Sequence, residues 1–141
     1  YWRQQPPLCS GLLGKLEHLS KLTCWLPLVP TECSRLQADI HSVSVNDSFV
    51  MNQWAKAQGL KNVEVIPDGS GEFTRRMGML VRKDNLGFGL RSWRYAAVIN
   101  DGVVEAWFEE PGLMDNCPDD PYGVSSPESL VAYLSEVLEP A

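Results

Sequence analysis

One turn between two apolar runs constrains the fold of this chain more than any other feature. Residues 100–102 read Asn-Asp-Gly, and they separate the apolar runs at 95–99 and 103–108. Both runs are rich in β-branched and aromatic residues, and Asn, Asp and Gly tolerate the positive φ of a tight hairpin turn. The stretch therefore predicts an antiparallel β-hairpin.

Upstream of the hairpin, the pattern alternates between strand and helix. Residues 39–45 and 62–67 are predicted to be strands, and the helix between them begins after Asn46 or Asp47 and ends at Gly59. This helix is predicted to place its apolar residues on one face: Phe49, Val50, Trp54 and Ala57. Met51 and Trp54 are interpreted as core residues. Because a helix joins the two strands, we expect them to be parallel with a right-handed crossover.

Two more helices are predicted on either side of the hairpin. Residues 71–80 suggest a short helix bounded by Gly71 and Gly78. The last helix begins with Ser126 as N-cap and Pro127 at the first helical position. Its apolar residues fall on one face: Leu130, Val131, Leu134 and Leu138.

Together these elements predict an α/β protein. The order strand, helix, strand, short helix, hairpin, helix corresponds to a mixed β-sheet flanked by helices, which is the thioredoxin-like architecture. A length of 141 residues favours one compact domain, to which we assign residues 38–141.

Residues 1–37 have a different character and are assigned to a divergent N-terminal segment. Residues 11–22 fit a helix with leucines on one side, whereas prolines break the segment at 23–34. Residues 1–7 are too few and too polar for a core strand. The first strands of a thioredoxin-like sheet are therefore expected to be missing or altered.

The composition argues against several function classes. A net charge of −6 without a basic patch argues against a nucleic-acid partner. No apolar run approaches the roughly 20 residues of a membrane span and no signal-peptide pattern occurs, so a cytoplasmic location is expected. The cysteines form no C-x-x-C pair and the histidines have no zinc-ligand spacing, so we expect no metal or cofactor and disfavour a disulfide oxidoreductase. Acidic loop residues are interpreted as a solvated surface: Asp68, Glu109, Glu110, Asp119 and Asp120.

Several longer motifs together resemble a known family. The segments SVSVNDSFVM (42–51), PDGSGEFT (67–74) and GFGLRSWRY (87–95) precede the Asn-Asp-Gly hairpin in the order and spacing of the type II peroxiredoxins. The resemblance covers about residues 38–138 and implies a thioredoxin-like fold. It also implies a thiol-dependent peroxidase that reduces hydrogen peroxide and alkyl hydroperoxides through a cysteine sulfenic acid. Glutathione with glutaredoxin, or thioredoxin, is the implied reductant, and a homodimer is the implied assembly.

The resemblance assigns a role to Arg94. By motif position, Arg94 matches the arginine that the family places beside the reacting cysteine, where a guanidinium favours the thiolate and stabilises charge on the peroxide oxygens. The alternative is a surface arginine paired with Glu72 or Glu105. Arg91 is interpreted as support for its loop or for a subunit contact. Three aromatic residues line the site or belong to the core or a dimer face: Phe88, Trp93 and Tyr95.

The cysteine that would react is harder to identify. The family's cysteine lies in a P-x-x-x-T-x-x-C pattern at a helix start, and this chain has no such pattern. Cys9 is the best candidate, because a proline lies two residues before it and a serine follows, although Pro6 occupies the threonine position. Cys24 and Cys33 each have a nearby threonine in the wrong register.

Two hypotheses remain open for the cysteines. Cys117 follows the hairpin and is expected to be exposed, with Asp115 and Asp119 nearby leaving its thiol unreactive; a resolving role is a weaker alternative. Each of the four cysteines is alternatively a buried, inert thiol. Because the T-x-x-C motif is missing, the second functional hypothesis is a catalytically impaired thioredoxin-fold remnant or interaction module.

Overall fold

The computed structural model describes residues 39–138 of the chain. The predicted segment 1–37, its helix over 11–22 and the candidates Cys9, Cys24 and Cys33 lie outside the described residues. The helices and strands, in chain order, are β1 (Ile40–Ser44), α1 (Ser48–Ala57), β2 (Val63–Pro67), α2 (Glu72–Arg76), β3 (Leu80–Arg82), a 3-10 turn (Asp84–Leu86), β4 (Leu90–Ser92), β5 (Tyr95–Asn100), β6 (Val103–Glu109) and α3 (Pro127–Leu138).

The strand–helix–strand unit forms as predicted. Strands β1 and β2 pair in parallel, with Ile40 opposite Val63, and α1 connects them. Asp47, rather than Asn46, caps α1, because its Oδ1 accepts a hydrogen bond from the Val50 amide at 2.8 Å.

The face that α1 buries differs from the prediction. Met51 is buried as expected and Trp54 is partly buried, but Phe49 is 83% exposed and Val50 is also exposed. Residues two apart on a helix point roughly 200° away from each other, so a helix that buries Met51 turns Phe49 outward. The prediction that Phe49 and Val50 belong to the core face was wrong.

The predicted hairpin is present, and the chain has a second antiparallel pair. Strands β5 and β6 are antiparallel, with an irregularity between Val98 and Ile99. The turn uses Asp101 at φ 47° and Gly102 at φ 79°, the positive values that a two-residue hairpin turn requires. Strands β3 and β4, which were not predicted, also pair antiparallel, with Val81 opposite Arg91.

The strands thus combine parallel and antiparallel pairing with flanking helices, which confirms the predicted α/β class. Within residues 39–138 they form three separate two-stranded ladders: β1 with β2, β3 with β4, and β5 with β6. One continuous mixed sheet was expected. Because no strand pairing joins the three ladders in the described residues, side-chain packing holds them together.

Two buried clusters provide this packing. The first joins β1, β5 and α3 and contains Ile40, Ala96, Val98, Leu130 and Leu134. The second lies behind β3 and the start of β5 and contains Met79, Val81, Trp93, Tyr95 and Cys117. Full burial of each leucine contributes about 1.5–3 kcal/mol, so α3 is held firmly against the strands.

Helix α3 begins as the sequence predicts. Ser126 Oγ accepts a hydrogen bond from the Ser129 amide at 3.3 Å, and Leu130 and Leu134 are fully buried. Between 39 and 138 the helices are too short or too polar to cross a bilayer.

Candidate active site

Arg94 lies between β4 and β5, and its side chain packs against the loop that follows β6. The side chain is 11% exposed. Its Nη1 donates to the Pro121 carbonyl at 2.8 Å, and its Nη2 donates to Asp120 Oδ2 at 2.9 Å. The guanidinium carbon also lies 5.1 Å from the centroid of the Tyr122 ring. Three consecutive loop residues, Asp120 to Tyr122, therefore contact one nearly buried cation.

The partners of Arg94 differ from those considered in the sequence. Glu72 is bonded to Arg75 and Arg76, and Glu105 accepts a hydrogen bond from Asn100. Neither carboxylate pairs with Arg94, so the alternative of an Arg94 pair with Glu72 or Glu105 was wrong. Asp120 was missed because it lies 26 residues away in the sequence.

The backbone on both sides of Arg94 is fixed by its neighbours. The Trp93 amide donates to the Met79 carbonyl at 2.6 Å, and the Trp93 indole donates to the Glu110 carbonyl at 2.8 Å. Trp93 and Tyr95 are buried in the second cluster. Because successive residues of an extended segment point to opposite sides, Arg94 points away from that cluster and toward the loop.

Glu110 holds the same loop from the opposite side. It is only 2% exposed, and its Oε1 accepts hydrogen bonds from the Gly123 amide at 2.7 Å, the Ser125 amide at 2.9 Å and the Ser125 hydroxyl at 2.6 Å. Burial raises the pKa of Glu110, but the hydrogen bonds from Gly123, Ser125 and Val124 together lower it by more than burial raises it. The pKa of Glu110 therefore lies below its usual value. The carboxylate is therefore ionised at neutral pH.

The prediction of a solvated acidic surface was partly wrong. Glu110 and Asp68 are buried, whereas Glu109, Asp119 and Asp120 are exposed. Asp68 accepts hydrogen bonds from the amides of Phe73 and Thr74 at the start of α2. These two carboxylates are buried because backbone amides satisfy them.

A shallow depression lies beside Arg94. It is partly open to solvent, is lined by Lys83, Ser92, Trp93, Arg94, Asp120 and Pro121, and is too narrow to admit a water-sized group. Lys83 is buried, and its ammonium lies 5.3 Å from the centroid of the Trp93 ring. Two cations and one carboxylate line this depression, so it favours an anion. Lys83 was not among the site residues predicted from the sequence.

Arg91 and the aromatic residues have largely local roles. Arg91 donates to the Leu90 carbonyl at 2.7 Å and lies 5.8 Å from the centroid of Phe88, so it supports its loop. Tyr95 stacks on Trp107 with 4.5 Å between ring centroids. Burial, and secondarily the charge of Asp68, raises the pKa of the Tyr95 hydroxyl, so it stays neutral.

Cys117 is buried, which corrects the prediction that it is exposed. It packs with Met79, Val81 and Trp93 in the second cluster. The loop before it is bonded to β3, since the Asn116 amide donates to the Arg82 carbonyl at 2.8 Å and Asp115 accepts from the Arg82 amide. These bonds turn the Cys117 side chain inward, where peroxide and reductant have little access. Cys9 lies outside the described residues, so Arg94 is the placed member of the predicted catalytic pair.

Comparison with known proteins identifies the family of the chain. The family model described as Redoxin matches residues 36–118. A peroxiredoxin from Rhizobium etli is 75% identical over 96 residues, which are 68% of this chain and 54% of that protein. The hybrid peroxiredoxin hyPrx5 of Haemophilus influenzae is 53% identical over 97 residues, which are 69% of this chain and 39% of that protein. The chain spans about half the length of these and other curated relatives.

A solved structure has the same fold. Reduced Prx3 in complex with H2O2 from Vibrio vulnificus superposes with a TM-score of 0.69 at 29% identity, covering 86% of this chain and 81% of that chain. The Redoxin match includes Arg94 and all six strands, whereas the loop residues Asp120, Pro121 and Tyr122 that contact Arg94 follow it.

Proposed function

Because this chain belongs to the redoxin family, we propose that it acts as a thiol-dependent peroxidase, with Cys9 as nucleophile and Arg94 as its cationic partner. The observation that carries the proposal is the environment of Arg94. Its side chain is almost buried, its orientation is fixed by Pro121 and Asp120, and it borders a depression that favours an anion. A fully solvated surface arginine would instead keep a mobile side chain whose ion pair is screened by water and salt.

The proposed reaction begins with the cysteine thiolate. The Cys9 sulfur attacks one peroxide oxygen and the O–O bond breaks. The second oxygen leaves with its electron pair and takes a proton, giving water from hydrogen peroxide or an alcohol from an alkyl hydroperoxide. Cys9 becomes a sulfenic acid. A guanidinium next to the sulfur favours the thiolate and stabilises the negative charge that develops on the leaving oxygen.

A thiol completes the proposed cycle. One glutathione attacks the sulfenic sulfur, forms a mixed disulfide and releases water. A second thiol, free or on glutaredoxin, then exchanges with the mixed disulfide and regenerates the Cys9 thiol. This recycling needs a reducing thiol pool, which supports a cytoplasmic location. The hydrogen peroxide bound in the related Vibrio structure supports hydrogen peroxide as one substrate.

Arg94 has donors to spare for this task. A guanidinium carries five N–H donors, and Pro121 and Asp120 engage one each in the described contacts. Asp120 is 51% exposed, so its carboxylate can move toward solvent while Pro121 keeps the guanidinium oriented. The depression is too narrow for a peroxide while Asp120 is in place, so a thiolate or peroxide oxygen becomes the anionic partner of Arg94 when that carboxylate moves out.

A homodimer is part of the proposal. The outer face of α1 presents Phe49 and Val50. The β3–β4 connection presents Leu86 and Phe88, and β4 begins with Leu90; all five are exposed apolar residues. Exposed apolar groups of this size favour a protein contact over solvent. Sedimentation of the chain is expected to give twice the monomer mass, and Phe49→Asp is expected to shift it to the monomer.

Trapping of the intermediate tests the proposed activity. The chain is treated with one equivalent of hydrogen peroxide and then with dimedone, and the labelled cysteine is identified by mass spectrometry. We expect fast labelling of Cys9, no fast labelling after Cys9→Ser, and unchanged labelling of Cys9 in the control Cys117→Ser. Fast labelling elsewhere would remove the assignment of Cys9. Slow, equal labelling of all four cysteines would instead favour the catalytically impaired remnant, which the missing T-x-x-C motif suggests.

A further inference from the structure

We propose that Glu110 is a positioning residue, which holds the loop that orients Arg94. Its catalytic meaning rests on the function proposed above, but its effect on Arg94 does not. The sequence placed Glu110 on a solvated surface, whereas the fold buries it between the segment that carries Arg94 and the loop that contacts it.

The backbone of Glu110 is bound to the segment of Arg94. Its amide donates to the Arg94 carbonyl at 3.1 Å, and its carbonyl accepts from the indole of Trp93 at 2.8 Å. Glu110 therefore has a fixed position relative to Arg94, independent of its own side chain. Because the backbone of Glu110 is fixed in this way, its side chain can position another segment, the loop at 120–125, beside the guanidinium of Arg94.

The side chain of Glu110 binds the loop that contacts Arg94. One carboxylate oxygen accepts three hydrogen bonds, from the Gly123 amide and from the amide and hydroxyl of Ser125. Pro121 and Asp120, the partners of Arg94, are two and three residues before Gly123. The chain between β6 and α3 has no helix or strand, so individual side-chain contacts decide where it lies. Glu110 thus fixes the loop at Gly123 and Ser125, and Arg94 binds the residues just before them.

The charge of Glu110 is essential to this arrangement. A charged acceptor makes hydrogen bonds about twice as strong as a neutral one, and a buried amide that loses its acceptor has no water to replace it. Removing the charge while keeping the shape should therefore loosen Gly123 and Ser125 and, through Asp120 and Pro121, the guanidinium. If Glu110 only supported the start of α3, Arg94 would not respond.

Nuclear magnetic resonance of the 141-residue chain tests the link without any enzymatic assay. The variants are Glu110→Gln and, as a matched control, Glu109→Gln, whose exposed carboxylate accepts from the Trp107 indole. In Glu110→Gln we expect the Gly123 and Ser125 amide signals to move upfield and to exchange with solvent at least about tenfold faster, as the loss of a charged hydrogen bond implies. We also expect the Arg94 side-chain signals to shift and broaden, and Glu109→Gln to change neither set.

An unchanged Arg94 signal beside released loop amides would overturn the proposal, as would unchanged amides. If Glu110→Gln does not fold, Ser125→Ala serves instead, because it removes one of the three donors and keeps the carboxylate. The same two sets of signals are then expected to change in the same direction by smaller amounts, and Arg94 signals identical to the parent would again overturn the proposal.

A rate measurement connects this link to the proposed peroxidase. With Arg94 intact, Glu110→Gln is expected to lower kcat/KM for peroxide about tenfold, because a misplacement of about 1 Å can cost about 100-fold and a smaller shift of Arg94 costs less. With Arg94→Ala already present, Glu110→Gln is expected to have no further effect. Equal effects in both backgrounds would overturn the positioning role. A parent chain without peroxidase activity would overturn the proposed function, and the resonance result would still decide the position of Arg94.

Discussion

Two arginine–carboxylate clusters in this molecule have similar distances but different surroundings. On α2, Glu72 accepts hydrogen bonds from Arg76 at 2.7 Å and from Arg75 at 2.9 Å, and all three side chains are exposed. Beside β5, Arg94 contacts Asp120 at 2.9 Å, and the arginine is nearly buried. By distance and number of contacts, the α2 cluster is the stronger of the two.

The comparison teaches that surroundings, not contact number, distinguish the two clusters. Hydrogen bonds from Arg76, then from Arg75, lower the pKa of Glu72, yet water and salt compete with these exposed contacts. Arg94 is fixed additionally by a backbone carbonyl, and its loop is bound by the buried Glu110. Only the second arrangement gives a guanidinium one defined position, which a catalytic group requires.

The largest expected difference between the clusters concerns activity. Arg94→Ala is expected to lower kcat/KM for hydrogen peroxide by about 10²- to 10³-fold, the usual result of removing a preorganised donor to a developing anion. Arg76→Ala, the matched control on α2, is expected to leave the rate unchanged. Peroxide consumption with glutathione and glutaredoxin in excess measures both. Arg94→Lys is expected to recover only part of the rate, because an ammonium lacks the planar fork of donors.

A similar loss in both alanine variants would mean that net charge, rather than the position of Arg94, supports the reaction. Circular dichroism and thermal unfolding are needed alongside, because Arg94 also contacts Pro121 and Asp120 and its removal affects the loop. A folded Arg94→Ala variant with the parent rate would remove Arg94 from the site.

A second difference is expected in stability. Glu110→Gln should lower the free energy of unfolding by about 1–3 kcal/mol, because the two buried donors of Ser125 and the partly buried Gly123 amide keep only a neutral acceptor. Glu72→Gln should leave the urea midpoint at neutral pH within the scatter of the measurement, since its partners are exposed. Equal shifts for the two variants would contradict the argument that burial separates the clusters.

Much of the fold follows from local sequence signals. The Asn-Asp-Gly turn, the cap at Asp47 and the Ser126-Pro127 helix start each depend on residues within a few positions, and each forms as predicted. Arg94 was predicted in a different way, from a motif of the resembled family. Its neighbours in that motif, Trp93 and Tyr95, are buried. Local turn and capping signals, together with one long motif, are therefore sufficient to predict the main helices and strands and the place of Arg94 between them.

The remaining parts of the site depend on contacts between distant segments. Glu109 and Glu110 are adjacent and chemically identical, but Glu110 meets Gly123 and Ser125, 13 and 15 residues later, and becomes buried. Cys117 is buried because its loop bonds to Arg82 on β3, 33 residues before Asp115. Composition and periodicity contain no information on such pairs, so a solvated surface was the natural prediction for both.

A third difference is expected when the pH is lowered. The pKa of Glu110 is lower in the folded chain than its ordinary value of about 4.3, so the unfolded chain binds more protons between the two values. Its stabilising contribution is therefore complete above about pH 4.3 and is lost as the pH falls through the folded pKa. We expect the gap in urea midpoint between the parent and Glu110→Gln to shrink on acidification.

The pH experiment compares variants because other carboxylates titrate in the same range. The pKa of Glu72 is also lowered, so the parent alone loses stability from more than one group. Glu109→Gln is the matched control and is expected to run parallel to the parent at every pH. A gap that widens as the pH falls would show that the neutral acid, rather than the carboxylate, binds Gly123 and Ser125.

The smallest expected difference is the response of the two ion pairs to salt. Raising the ionic strength from about 0.1 M to about 1 M shortens the Debye length from roughly 10 Å to roughly 3 Å. Double-mutant cycles on unfolding are expected to show that the coupling of Glu72 with Arg76 disappears over this range, because both side chains are solvated. The coupling of Arg94 with Asp120 is expected to weaken but persist, since only the aspartate is half exposed. Equal salt dependence would mean that water reaches Arg94 as freely as it reaches Arg76, and a thiolate beside Arg94 would then gain no more from it than from any surface arginine.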